Sequence, residues 1–270
     1  RFKKGVKLAL FQGTTEKIVL TPLLKLLNMK VIWLEHGPMF ALRRSKIVLW
    51  LYRLNAHFAA KIITVSQDSQ NDLISGGIKK EKITTIHTGI DIEYFKPFPT
   101  GERNDLVIGY VGAICKEKGL EDFIKTASLI VKKFKSIRFV MVGQGKARKI
   151  KNFVFTGFKK DIRPYLAKFS IFFFPTQHLE GLSLAVLGAM AMEIPVVARD
   201  IGGNRELVEN GETGYLFKNE NSEELANLLV ALLNDNKKRE KMGQKARSII
   251  VKKFNSLNWI KKWQEIFNAY

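Results

Sequence analysis

Short apolar runs of strand length alternate along this chain with longer segments whose apolar residues recur three and four positions apart. VKLALF predicts a strand beginning near Val6, TEKIVLTPLLKLLN a helix and KVIWLEH a strand. RRSKIVLWLYRLNAHFAAK at 43–61 predicts a helix, IITVS a strand, QDSQNDLISGG a helix and KITTIHTG a strand. KPFPTGERND, with two prolines and a glycine, interrupts the pattern as a linker. The alternation then restarts. DLVIGYVG, IRFVMVG, NFVFTG, FSIFFFP and IPVVARD predict strands. GLEDFIKTASLIVKKF, SEELANLLVALLND, REKMGQKARSIIVKKF and SLNWIKKWQEIFNAY predict helices, with Ser222 and Ser256 as N-caps. The pattern implies α/β layering in two domains, the first with about 100 residues and four strands.

Composition narrows the picture. A length of 270 residues agrees with two domains. No apolar run reaches the roughly 18 residues that a membrane-crossing helix needs. The single cysteine, Cys115, excludes an internal disulfide and a cysteine-rich metal site, and fits a reducing compartment. The net charge of +20 admits nucleic acid, an anionic membrane face or a phosphorylated substrate as partner. The basic residues are spread through the chain, however, so simple solvated faces account for many of them. No zinc-finger spacing, aromatic RNA-binding run or basic zipper is present, and nucleic acid ranks last among the partners.

Two loops carry candidate chemistry. In doubly wound sheets, ligands bind beyond the carboxyl ends of strands. YVGAICKEKGLEDF leaves a strand at Gly112 and reaches Gly119 before the next helix. FFFPTQHLEGLSLAVL leaves a strand at Pro175 and starts a helix near Ser183. Unpaired N–H groups at a helix start favour an anion. Gly181 would let the backbone approach a phosphate, and Lys118 would add a compact positive charge. Glycine-led helix starts are also common where nothing binds.

The order and spacing of YVGAICKEKG, IRFVMVGQG, VFTGF and FFFPTQHLEGLSLAVLGAMAMEIPVVARDIGGNRELVENGETGYLF resemble the carboxyl-terminal domain of retaining GT-B glycosyltransferases of family GT4. WLEHG and VSQDSQNDLISGGIKKEKITTIHTGIDIEYFKP resemble that family's acceptor-side domain. The resemblance covers nearly the whole chain and is most specific from Phe174 to Phe217. It implies an α/β GT-B fold of two Rossmann-like domains facing a cleft. The first, at 1–98, would be truncated; the second, at 99–253, would bind the donor; a helix at 254–270 would return to the first.

Position by position, the resemblance makes His36 and Glu180 the catalytic pair near the reacting sugar. The alternative for His36 is a core histidine at a strand end. Lys118 matches the lysine on the diphosphate, beside Gly112, and the amides of Gly181, Leu182, Ser183 and Leu184 match the phosphate loop. Gly157 and Phe158 match, more loosely, the segment lining the nucleobase. Two positions depart. Gly188 stands where the family has a glutamate on the ribose, and Ala113 where it usually has an arginine on the diphosphate. The first loss weakens binding; the second also slows the charge-developing step. Reduced activity is expected, with an inactive homologue serving as a binding or partner subunit as the alternative.

The implied reaction is transfer of a sugar from a nucleotide diphosphate sugar to an acceptor hydroxyl with retained configuration. No metal and no separate cofactor are implied, because no ligand cluster lies near these loops. Polysaccharide, glycolipid or cell-envelope glycan synthesis is the expected setting, in the cytoplasm and peripherally at the inner membrane face. The charge points to a lipid-linked or polyanionic acceptor. Arg43, Arg44, Trp50, Tyr52 and Arg53 offer a contact with an anionic membrane, but apolar residues run nearly all round this helix, so core packing is the preferred reading. Family members begin with further strand–helix units; with Arg1 in place of methionine, a fragment of a longer product is expected.

Overall fold

The computed structural model describes residues 7–39, 45–98, 106–218 and 221–270. Val6, Arg43, Arg44 and most of the expected linker lie outside the described residues. Two compact units divide the chain: Arg1–Gly89, Leu179–Leu182 and Ser256–Tyr270 form one, and Ile90–His178 and Ser183–Asn255 the other.

In the first unit, β1 (Leu8–Phe11), β2 (Lys30–Glu35), β3 (Lys61–Thr64) and β4 (Ile83–Thr85) form a parallel sheet in sequential order. The crossovers carry α1 (Thr14–Leu26), α2 (Lys46–Ala56) and α3 (Gln67–Ser75). Side chains alternate across a strand, and the apolar run of β2 supplies both faces. Val31 and Trp33 enter one core with Tyr52, Ile62 and Leu73. Ile32 and Leu34 enter another with Ile63, Val65 and Ile86. The helix expected over 43–61 is observed from Lys46, after the Ser45 cap, to Ala56, because Lys61 already opens β3.

The second unit contains β5 (Val107–Val111), α4 (Leu120–Lys133), β6 (Arg138–Val142), β7 (Phe153–Phe155), the short α5 (Arg163–Leu166) and β8 (Ile171–Phe174). There follow α6 (Leu184–Ala191), β9 (Val196–Arg199), the short α7 (Asn204–Leu207), β10 (Gly214–Phe217), α8 (Ser222–Asn234) and α9 (Asn236–Lys253). Its six strands are parallel in the order β10-β9-β8-β5-β6-β7. Phe172, Phe173 and Phe174 are fully buried, each contributing about 1.5–3 kcal/mol of hydrophobic stabilisation. The closing helix of the chain, α10 (Ser256–Asn268), belongs to the first unit, where Trp263 joins the core of Ile32, Leu34 and Ile63.

Three expectations are corrected. Ser222 is not the cap of α8: the Asn221 side chain accepts from the amides of Glu223 and Glu224, placing Ser222 inside the first turn. Ser256 is likewise the first helical residue of α10. The boundary expected after residue 98 falls at Ile90, because the following strap is tied to the second unit. Ile90 donates its amide to Phe254, and the Arg247 guanidinium donates to the carbonyls of Ile92, Phe95 and Ala191.

Candidate functional site

The second sheet reverses direction between β5 and β8: the chain goes from β5 outward to β6 and β7, then returns to the other side of β5. Neighbouring strands that lead their connections in opposite directions leave a crevice at their carboxyl ends. The two loops singled out in the sequence leave these two strands.

The first loop begins at Gly112, where the Tyr110 hydroxyl donates to the Ala113 carbonyl at 2.9 Å. It continues through one 3-10 turn, Lys116–Lys118, to Gly119. Gly119 has φ 79°, and a Cβ there would lie 2.1 Å from the Pro175 carbonyl oxygen. Only glycine meets both demands, and it lets the Lys118 turn close onto the exit of β8. On the other side of Lys118, the Gln177 amide donates to the Glu117 carbonyl at 3.0 Å. Lys118 itself is half-buried.

The second loop carries Glu180 and Leu182, both half-buried, to the buried Ser183. Ser183 is the N-cap of α6 with extended backbone, and its side chain makes no capping bond. First-turn amides of a helix have no intrahelical partner, so those beginning at Leu184 are available to other acceptors. The Leu184 side chain is exposed. On the far edge of the sheet, Gly157 follows β7 and accepts from the Gly143 amide at 3.0 Å. Phe158, beside it, is 75% exposed, an uncovered aromatic face.

Residues Leu179–Leu182 count with the first unit. There a Cβ on Gly181 would lie 2.3 Å from the His36 carbonyl oxygen and 2.4 Å from Cγ2 of Val65. The backbone of the glutamate-bearing loop therefore lies directly on the turn that carries His36. His36 is exposed. Partial desolvation, and next the charge of Lys17, hold its pKa below the ordinary 6.5 against the opposing pull of Glu35.

Gly188 sits in the wholly buried part of α6. A Cβ there would lie 3.2 Å from Cε1 of Phe95 and 3.6 Å from Cδ1 of Leu166. The space that a longer side chain would need is taken by the Phe95 ring.

Two polar clusters were missed. Lys17 is 1% exposed, and its ammonium donates to the Leu34 carbonyl at 2.7 Å and to Oε1 of Glu35 at 2.6 Å. The Tyr52 hydroxyl donates to the same oxygen at 2.5 Å. Burial lowers the Lys17 pKa and raises that of Tyr52. Arg199 at the end of β9 pairs with Asp122 at 2.5 Å, and Gln177 donates to the same carboxylate oxygen at 3.0 Å. Signals existed for both. Lys17, Thr21 and Leu24 share the buried stripe of α1, and Arg199 is the one charge inside the otherwise apolar run IPVVAR.

Among the described residues, no group of three His, Cys, Asp or Glu side chains is placed to hold a metal ion. No helix among them is long and apolar enough to cross a membrane.

The family model for Glycosyltransferase Family 4 matches residues 16–94, and that for Glycosyl transferases group 1 matches residues 105–235. This chain belongs to the GT4-type glycosyltransferases. The two matched segments contain residues picked from the sequence: His36 in the first, Lys118 and Glu180 in the second. Among relatives, the capsular polysaccharide biosynthesis glycosyltransferase CapM of Staphylococcus aureus is 27% identical over 249 residues, which cover 83% of this chain and 65% of CapM. The poly(ribitol-phosphate) alpha-N-acetylglucosaminyltransferase of Staphylococcus aureus (strain COL) is 26% identical, over 80% of this chain and 45% of its own. The chain therefore spans less than two thirds of each of these relatives. Anabaena Alr3699/HepE, solved in complex with UDP, superposes with a TM-score of 0.88 at 22% identity, covering 97% of this chain and 79% of HepE. That likeness establishes the GT-B fold for the two Rossmann-like units.

Proposed function

We propose that the protein is a glycosyltransferase that moves a sugar from a uridine diphosphate sugar to an acceptor hydroxyl with retention of anomeric configuration. The observation that carries this reading is the closure of the Lys118 turn onto the exit of β8, through Gly119 against Pro175 and Gln177 on Glu117. It brings an ammonium-bearing turn to the strand ends from which the loop to the α6 amides departs. A compact cation and oriented amides stabilise the charge that a departing diphosphate gains, without a carboxylate nucleophile. HepE binds UDP, which supports a uridine nucleotide here.

In this reading Lys118 and the amides of Gly181, Leu182, Ser183 and Leu184 hold the diphosphate, with Gly112 leaving room beside it. Phe158 and Gly157 face the nucleobase. Glu180 orients the sugar hydroxyls, and His36, neutral at pH 7, contacts the sugar near the reacting carbon. A leaving-group oxygen takes the acceptor proton on the face from which the diphosphate departs. With Ala113 in place of a second cation, Lys118 carries more of the leaving-group charge.

The acceptor is anionic in this reading, as a net charge of +20 favours. The names of CapM and of the poly(ribitol-phosphate) enzyme point to cell-envelope glycans. In the same reading the protein works in the cytoplasm, and its positive charge favours peripheral contact with an anionic membrane. Incubation with a panel of uridine diphosphate sugars and phosphate-bearing polyol acceptors, followed by proton NMR of the product, tests the proposal. Release of UDP with an α-linked product from an α-linked donor is expected. An inverted product overturns retention, and no transfer from any donor overturns the enzyme assignment.

A further inference from the structure

The turn that carries Lys118 is three residues long, closed by backbone bonds from Lys118 and Leu120 to the Cys115 carbonyl and from Gly119 to that of Lys116. Something outside it must fix its position against the exit of β8. Gly119 and Pro175 supply close contact, and Gln177 supplies one backbone bond to Glu117. Behind them lies a charge pair whose arginine is buried and whose aspartate is partly exposed. The Arg199 side chain is 8% exposed, on the last residue of β9, with Nη2 2.5 Å from Oδ2 of Asp122. Asp122 stands in the first turn of α4, directly after the Lys118 turn. Its Oδ2 also accepts from Nε2 of Gln177 at 3.0 Å. The Arg199 guanidinium further lies 3.5 Å from the Pro175 carbonyl by Nε, and 5.3 Å from the centre of the Phe217 ring.

Resting on the donor reading above, we infer that Arg199 is a positioning residue for diphosphate binding: by clamping Asp122, and through it Gln177, it fixes the Lys118 turn against the β8 loop. The geometry explains why a charge sits at the end of an apolar strand. A guanidinium buried to this extent needs a carboxylate, and its plane can face the Asp122 carboxylate, Pro175 and Phe217 at once. Lysine in its place keeps the charge but loses the fork. A neutral side chain leaves Asp122, among the described residues, with the Gln177 side chain as its remaining side-chain partner, and the turn loses one of its ties to β8. The role is indirect, since Arg199 acts on the ligand only through where Lys118 sits.

The test is calorimetric titration with UDP of the wild-type chain and of Arg199→Met, Arg199→Lys, Lys118→Met and the Arg199→Met/Lys118→Met double variant. Arg199→Met is expected to weaken UDP binding about tenfold, and Arg199→Lys to recover part of that loss. In the Lys118→Met background, Arg199→Met is expected to add less than about twofold, because the turn then has no ammonium left to misplace. Should Arg199→Met fail to fold, Gln177→Ala serves instead; this side chain is exposed, and the same coupled loss, of about threefold, is expected. Unchanged affinity in Arg199→Met, or a full loss repeated in the Lys118→Met background, overturns the inference while the donor reading stands. No UDP binding by the wild type, or none lost in Lys118→Met, overturns the donor reading, and this inference with it.

Discussion

The Lys17 ammonium lies 2.6 Å from Oε1 of Glu35, with only 1% of the lysine and 15% of the glutamate side chain reaching solvent. Glu35 is the last residue of β2, and His36 follows it. The pair, with Tyr52 on the same oxygen, therefore anchors the strand end that presents His36. Replacing Lys17 by methionine strands a carboxylate in the interior and is expected to cost about 3–5 kcal/mol of stability. Chemical denaturation measures it. The Lys17→Met/Glu35→Gln double variant is expected to lose clearly less than the single one, since no lone charge remains.

The same network sets a pH dependence. The His36 pKa lies below its ordinary 6.5, through desolvation first and Lys17 second, with Glu35 opposing. The folded state thus binds this proton less readily than the unfolded chain does. Its contribution is absent above 6.5 and becomes destabilising as pH falls through 6.5 towards the lower folded value. NMR titration of the His36 ring should give a midpoint below 6.5, and transfer activity should decline as the ring protonates. A midpoint at or above 6.5 would remove the basis for a neutral His36 at work.

Gly181 admits no side chain where it stands. Alanine would bring a methyl group to 2.3 Å from the His36 carbonyl oxygen, so the loop or the His36 turn must move. A displacement on the order of 1 Å near reacting groups costs roughly a hundredfold in rate. Gly181→Ala is expected to lower kcat by at least about tenfold and also to lower the thermal midpoint, because buried backbone must give way to the methyl group. Steady-state kinetics beside a melting curve separates the rate loss from general destabilisation.

Gly188 answers differently. Restoring a glutamate there would drive a carboxylate into the Phe95 ring, in a helix with no exposed face at that level. Gly188→Glu is expected to destabilise the protein by about 2 kcal/mol or more. Phe95→Ala in the same chain should recover part of that loss by opening the space. Thermal denaturation of the single and double variants checks this, and full additivity would show that the Phe95 ring is not the obstacle.

Much of this was legible in the sequence. The apolar periodicities of β2, β5 and β8 placed the strands, and the order and spacing of the motifs, most specifically from Phe174 to Phe217, carried the family resemblance. Helix ends were less legible. Asn221 outcompeted Ser222 as the cap of α8 because its longer side chain reaches two amides. The strap from Ile90 was counted with the first domain because its ties are carbonyls held by Arg247, about 150 residues away, and local composition carries no trace of such bonds. Lys17 and Arg199 were not singled out in a chain rich in basic residues. Their burial depends on partners, Glu35 and Asp122, that only the fold brings near.

The central claim is that the Lys118 turn and the start of α6 cradle the diphosphate of a nucleotide sugar. Calorimetric titration of UDP into the wild-type chain and into Lys118→Met, at physiological salt, tests it most directly. The account predicts saturable binding by the wild type and affinity about ten- to a hundredfold weaker in the variant. Undetectable binding at millimolar UDP, or equal affinity in the two proteins, would contradict it.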